Sequence, residues 1–217
     1  MSSSAPLEIV ERTTGDAPIA SVIVLHGLGA DGYDFVPICD ELELGAVGPV
    51  RFVFPHAPVR PVTINAGYRM RAWYDILGTE IDRREDEPGL RLSLGQLHGL
   101  VDREVERGIA PRRIALMGFS QGCAMTLLAG LRYRERLAGL AGLSGYLPLA
   151  ATTAAERHAA NADVPVFLAH GSADPVIPIE RVAPGHEVEW HEYPMPHSVC
   201  AEEVADLNRW VLQVLGG

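Results

Sequence analysis

The stretch Arg113-Ile114-Ala115-Leu116-Met117-Gly118-Phe119-Ser120-Gln121-Gly122-Cys123-Ala124-Met125-Thr126-Leu127-Leu128-Ala129 decides the fold. Arg113–Met117 reads as a buried strand and Cys123–Ala129 as a helix. Between them lies Gly118-Phe119-Ser120-Gln121-Gly122, a Gly-x-Ser-x-Gly motif. A serine at such a strand-to-helix turn is a nucleophile elbow. Its glycines let the backbone turn sharply without a Cβ clash. The turn lifts the serine hydroxyl above the strand ends, and the helix start puts N–H groups beside it.

Outward from the elbow, apolar runs alternate with helical patterns. Strands are expected at Leu7–Arg12, Ser21–Leu25, Arg51–Phe54, Ile114–Gly118, Leu140–Leu143, Val166–Ala169 and Val188–Tyr193. Helices are expected at Tyr33–Leu44, Leu94–Arg107, Gln121–Arg134, Ala151–Ala160 and Ala201–Leu215. This alternation predicts an α/β fold, a mostly parallel central sheet with helices on both faces. The chain has 217 residues, no internal repeat and no low-complexity linker, so a single domain over 1–217 is expected. The excursion Thr63–Leu90 carries Trp73-Tyr74-Asp75, read as a flap over the site, and the charged run Glu80–Glu87, read as a solvated loop.

A formal net charge of −10 gives no electrostatic footprint for nucleic acid or an anionic membrane. No apolar run is long enough to span a bilayer, so no stable membrane insertion is expected. Met1-Ser2-Ser3-Ser4-Ala5-Pro6 has neither a basic start nor an apolar core, so no signal peptide is expected. Cys39, Cys123 and Cys200 form no paired framework or metal spacing, and are read as reduced thiols of a cytoplasmic protein.

A serine nucleophile needs a base, and the base needs an orienting carboxylate. In this fold the chain order is serine, acid, histidine, and ligands sit at the carboxyl ends of the strands. Asp163 precedes the strand Val166–Ala169 and lies at its wrong end; Asp174 follows it, in His170-Gly171-Ser172-Ala173-Asp174-Pro175. Asp174 is therefore the candidate orienter. Of the later histidines, His186 precedes the last strand and His191 lies within it. His197 follows it, in Pro194-Met195-Pro196-His197-Ser198, and is the candidate base. His26, His56, His98, His158 and His170 carry no comparable argument. The oxyanion needs N–H donors. Gln121 N–H opens the helix after the nucleophile. Leu28 N–H lies in His26-Gly27-Leu28-Gly29-Ala30-Asp31-Gly32, the loop after Val22–Leu25. A phosphate cradle is the rival reading of these glycines, but no Gly-Lys-Ser/Thr or Gly-x-Gly-x-x-Gly pattern is present.

These residues together resemble the phospholipase/carboxylesterase family, which includes bacterial carboxylesterases and acyl-protein thioesterases. The resemblance runs over nearly the whole chain. It takes in the His26–Gly32 loop, Phe54–Pro58, Pro61–Asn65, Ala72–Ile76, Gly118–Gly122, His170–Pro178 and Tyr193–His197. It implies an α/β-hydrolase core without a large cap. It implies Ser120, Asp174 and His197 as triad, Leu28 and Gln121 N–H as oxyanion hole, and no cofactor or metal. It also places an acyl groove around Trp73, Ile76 and Leu77, with Tyr146 and Val176 near it. Cys123 stands where the family usually has glycine or alanine, and is read as core packing rather than as a nucleophile.

A second departure is the short Gly171–His186 connection, where relatives carry an amphipathic helix. Pro175, Pro178 and Pro184 leave room for one turn around Ile179–Val182. A sheet face left uncovered there predicts a homodimer, and a proline-bearing hinge raises the option of an exchanged last strand. The expected activity is that of a serine carboxylesterase acting on small ester substrates of short to medium acyl chain. An acyl thioesterase is the second expectation. A silent binding module is the rival from another class, disfavoured because all three triad members are present.

Overall fold

The computed structural model of the chain describes residues 6–78, 85–177 and 188–216. Among these, the strands are β1 (Ile9–Thr13), β2 (Ala20–Leu25), β3 (Val50–Pro55), β4 (Val59–Val62), β5 (Tyr68–Arg71), β6 (Ile114–Phe119), β7 (Gly139–Leu143), β8 (Val166–Gly171) and β9 (Val188–Tyr193). The α-helices are α1 (Ile38–Glu41), α2 (Glu87–Glu106), α3 (Gln121–Arg132), α4 (Ala150–Glu156) and α5 (Ala201–Gly216). Seven strands form one sheet in the order β1-β3-β2-β6-β7-β8-β9, and these are the seven expected from sequence. Only β1 pairs antiparallel; every other neighbouring pair in that sheet is parallel.

Side chains alternate between the sheet's two faces, as strand geometry requires. Ile23, Leu116, Leu140 and Leu168 pack with Leu97 and Val101 of α2 and Leu128 of α3. Val22, Met117, Ala141 and Phe167 pack on the opposite face with Leu207, Trp210 and Val211 of α5. Both faces are thus covered, which explains why β2 is buried along its whole length. From β2 the chain passes to β3 on one side and returns to β6 on the other. The crevice of a parallel sheet opens at such a reversal, here between the carboxyl ends of β2 and β6.

The structure corrects three local expectations. The helix expected over Tyr33–Leu44 is reduced to the single turn of α1, preceded by i→i+3 turns such as Val36 N–H to Tyr33 O and Ile38 N–H to Phe35 O. Pro37 explains this, because a proline there has no N–H for an α-helical bond. Helix α2 begins at Glu87, seven residues before the expected start at Leu94. Asp86 is its N-cap, accepting from Gly89 N–H at 3.0 Å, and Pro88 sits in the first turn. The end of the charged run is therefore a helix start, not a solvated loop. Glu85 also accepts from Leu149 N–H at 3.1 Å. The third correction is the hairpin β4–β5, a separate two-stranded sheet whose first strand precedes the expected excursion and whose second lies inside it. The expected turn at Ile179–Val182 lies outside the described residues.

Helix α5 carries an unusual carboxyl in its first turn. Glu203 is fully buried, and neither carboxyl oxygen has a partner of proper hydrogen-bond geometry. Burial pushes its pKa up to about 7, against slight relief from the Cys200 amide. A folded pKa raised above the unfolded one stabilises the fold at low pH and is lost as pH rises through the folded value. Stability should therefore fall between the unfolded value of 4.5 and about 7. The expected loss is about 3 kcal/mol. Urea melts of wild type and Glu203→Gln across this range test it. The gap between the two should shift towards the variant as pH rises; a constant gap would show that Glu203 does not titrate there.

Candidate active site

Ser120 caps α3 with φ 55° and ψ −116°, a conformation that costs a non-glycine residue energy. Neighbouring contacts hold it there. Ser120 N–H donates to Leu143 O at the end of β7 at 2.9 Å. A Cβ on Gly118 would run into the Gly122 carbonyl, and one on Gly122 into the carbonyls of Leu25 and His26. The elbow glycines thus serve close backbone approach, which seats α3 directly on the end of β2.

His197 bridges the other two residues. Its Nε2 lies 2.9 Å from Ser120 Oγ, and its Nδ1 lies 2.7 Å from Asp174 Oδ2. With Asp174 ionised, Nδ1 carries the proton and Nε2 accepts from the serine hydroxyl. Phe119 packs against the imidazole, ring centroids 4.8 Å apart. The Asp174 side chain is almost fully buried. Burial alone raises its pKa. Hydrogen bonds from His197 and from the N–H groups of Val176 and Ile177 outweigh that and hold it below the usual carboxylate range. The acid loop and the histidine loop are tied to each other by Ser172 N–H to Tyr193 O and Ala173 N–H to Met195 O, at 2.8 and 3.2 Å. All three sequence-predicted residues therefore meet, and they do so within one chain, with no exchanged strand needed.

The Gly27–Gly32 loop runs beside the elbow, close enough that a Cβ on Gly27 would contact Ser120 Cβ at 3.4 Å. Gly29, at φ 79°, donates its N–H to Arg71 O on β5 at 2.9 Å. Two histidines without a sequence argument brace this loop. His26 Nε2 accepts from Ala57 N–H at 3.0 Å, and its Nδ1 donates to Gly27 O at 2.7 Å. Burial lowers its pKa, which keeps this tautomer neutral. His56 Nδ1 accepts from Gly32 N–H at 3.0 Å. The backbone N–H groups of Leu28 and Gln121 make no hydrogen bond among the described residues. A motif resemblance was the only sequence signal at Phe54–Pro58, and it carried no role for His56.

The groove residues divide. Trp73 is fully buried, so it is a strut, not the open groove wall or flap expected. Its backbone N–H donates to Gln121 Oε1 and its indole N–H to His26 O, each at 2.9 Å. Gln121 Nε2 donates in turn to Tyr74 O at 2.8 Å. Ile76, Leu77 and Tyr146 do share a small cleft with Tyr74, and the two tyrosine hydroxyls lie 3.0 Å apart. Val176 is exposed beside the acid loop and lies outside that cleft. Cys123 is fully buried, and burial raises its thiol pKa. Among the described residues no helix is long and apolar enough to cross a membrane.

The sheet, the elbow and the serine–histidine–carboxylate row define a serine hydrolase of the α/β-hydrolase fold. Residues 7–215 match the family model described as Phospholipase/Carboxylesterase, and the chain belongs to that family. It is 36% identical over 219 residues to acyl-protein thioesterase 1 of Yarrowia lipolytica, covering 95% of this chain and 96% of the relative. It is 43% identical over 175 residues to acyl-protein thioesterase 1 of Schizosaccharomyces pombe, covering 81% and 77%. Among solved structures it resembles SOBER1 of Arabidopsis thaliana, with TM-score 0.84 and 28% identity over 90% of this chain and 99% of that one. It also resembles acyl-protein thioesterase 2 of Zea mays, with TM-score 0.82 and 25% identity over 98% and 100%.

Proposed function

We propose that the protein hydrolyses acyl thioesters, S-acylated protein segments above all, and cleaves carboxylic esters by the same route. The observation that carries the hydrolytic reading is His197 bridging Ser120 Oγ and Asp174 Oδ2 at hydrogen-bond distance. The thioester preference is supported by relatives named acyl-protein thioesterase 1 at 34–43% identity. That reverses the order of the two activities expected from sequence.

Ser120 Oγ attacks the acyl carbonyl while its proton passes to His197 Nε2. Asp174 holds Nδ1–H and stabilises the imidazolium. The tetrahedral oxyanion is received by the N–H groups of Leu28 and Gln121. Collapse breaks the C–S bond, and the thiol leaves with the proton from Nε2. His197 then takes a proton from water, which attacks the acyl-Ser120 carbonyl; as the C–O bond to Ser120 breaks, Nε2 returns the proton to Oγ and the carboxylic acid leaves. A thiol leaves more readily than an alcohol, since its pKa of about 8.5 is far lower. Ile76, Leu77 and Tyr146 line the small cleft beside Asp75, Glu85 and Asp86, and with no large cap among the described residues to enclose a long chain, short to medium acyl chains are expected to be preferred.

One peptide carrying the same acyl group on cysteine or on serine tests the preference. The expected kcat/KM for the thioester is at least about tenfold higher, the equivalent of about 1.4 kcal/mol in the barrier. Equal or faster cleavage of the oxygen ester returns the carboxylesterase reading to first place. A series of acyl lengths on the cysteine peptide tests the cleft, where rates still rising at palmitoyl would contradict the short-chain preference.

A further inference from the structure

The penultimate residue of strand β8 is a second histidine, one that the hydrolytic row does not use. His170 is buried, and its Nε2 lies 2.7 Å from Ile177 O and 3.4 Å from Asp174 Oδ2. Both neighbours are acceptors, so Nε2 carries the proton and gives it chiefly to Ile177 O. The ring stacks on Trp190 of β9, with centroids 6.3 Å apart and planes 15° from parallel. Asp174 Oδ2 is the same oxygen that His197 Nδ1 binds, while Oδ1 receives the N–H groups of Val176 and Ile177 at 2.7 and 3.1 Å. The turn 174–177 is therefore closed from both ends. Ile177 N–H holds the carboxylate, and Ile177 C=O is held by His170.

We propose that His170 is a positioning residue of the hydrolytic site, pinning the Asp174–Ile177 turn to the end of β8 so that Asp174 stays aimed at His197. The inference rests on the assignment of Ser120, Asp174 and His197 above. Its physical basis is the loose terminal torsion of aspartate, whose broad energy well does not fix Oδ2 without outside contacts. Two of those contacts, from the N–H groups of Val176 and Ile177, run through the 174–177 turn itself, and a turn free to shift carries them with it. A misplacement of about 1 Å in such a site can cost about a hundredfold in rate. The groups facing His170 are Asp174 from the following turn and Trp190 from β9. No other charged side chain pairs with it among the described residues.

Three substitutions separate positioning from packing. His170→Phe keeps a ring against Trp190 and removes the donor. His170→Asn keeps polarity but is too short to reach Ile177 O. His170→Gln carries an N–H to about the place of Nε2. His170→Phe and His170→Asn are expected to lower kcat about 30-fold with KM within about threefold of wild type. His170→Gln should keep kcat within about threefold. Wild-type kcat in His170→Phe overturns the proposal. So does an equal loss in His170→Gln and His170→Phe, which marks a packing role. If His170→Phe melts below the assay temperature, the Gln and Asn variants carry the same comparison. Ser120→Ala, assayed alongside, tests the underlying site by itself: hydrolysis within about tenfold of wild type there overturns the site assignment whatever the His170 variants do.

Discussion

Ser120→Ala lowers kcat/KM by about four orders of magnitude or more, on thioester and ester alike. Members of such a row act as one unit, so losing the nucleophile forfeits the covalent route entirely. The geometry leaves no substitute. His197 Nε2 meets Ser120 Oγ at 2.9 Å and bonds to no other hydroxyl among the described residues. Cys123, three residues on, packs its sulfur against Gly142 and Gly145 beneath the elbow, and burial keeps its thiol protonated. The fold around the site should survive, since the change removes one oxygen from a partly exposed side chain and keeps the Cβ. A fluorophosphonate probe is expected to label the wild type and leave the variant blank. Labelling that persists in Ser120→Ala would place the nucleophile elsewhere.

Gly122→Ala is expected to act on stability rather than on chemistry. A methyl group there points into the Leu25 carbonyl and stands 2.8 Å from the His26 carbonyl. Both are main-chain atoms at the end of β2, so no side chain can swing aside. Relief requires α3 to back away from the sheet, and every residue of α3 is buried. Overpacking a site with movable neighbours costs about 1–3 kcal/mol; rigid backbone on both sides should push the cost to about 4 kcal/mol or more. Against a domain stability of about 5–15 kcal/mol, that removes a large share of the margin and most of it at the low end. Chemical denaturation and the soluble yield report it. A Gly122→Ala protein as stable as wild type would mean that α3 does not pack directly on the end of β2.

The sheet and the row of Ser120, Asp174 and His197 were legible because each follows from a strong local rule. Buried parallel strands are short apolar runs, and chain order with strand ends leaves few candidates for acid and base. The hairpin β4–β5 escaped because its strands are four residues each and carry Arg60, Pro61 and Arg69, which mask any apolar alternation. The α1 region escaped because its apolar spacing looked helical while Pro37 removed the needed donor. The start of α2 was written in Asp86-Glu87-Pro88, but a charge run drew the reading away from the cap. His26, His56 and His170 could not be placed from sequence. Their partners are backbone groups whose positions exist only in the folded chain.

The hydrogen bonds of Trp73 bear on the timing of activity. They join residues 47 and 48 positions apart in the chain, linking the end of β2, the excursion and the elbow. Loop closure over such separations is slow compared with forming a helix or a hairpin. The β2–β6 pairing that seats the elbow closes a still longer stretch, from Ser21 to Ile114. The site thus rests on long-range closures throughout and no short segment of the chain can carry it, so turnover reports completion of the native state rather than the presence of any one element.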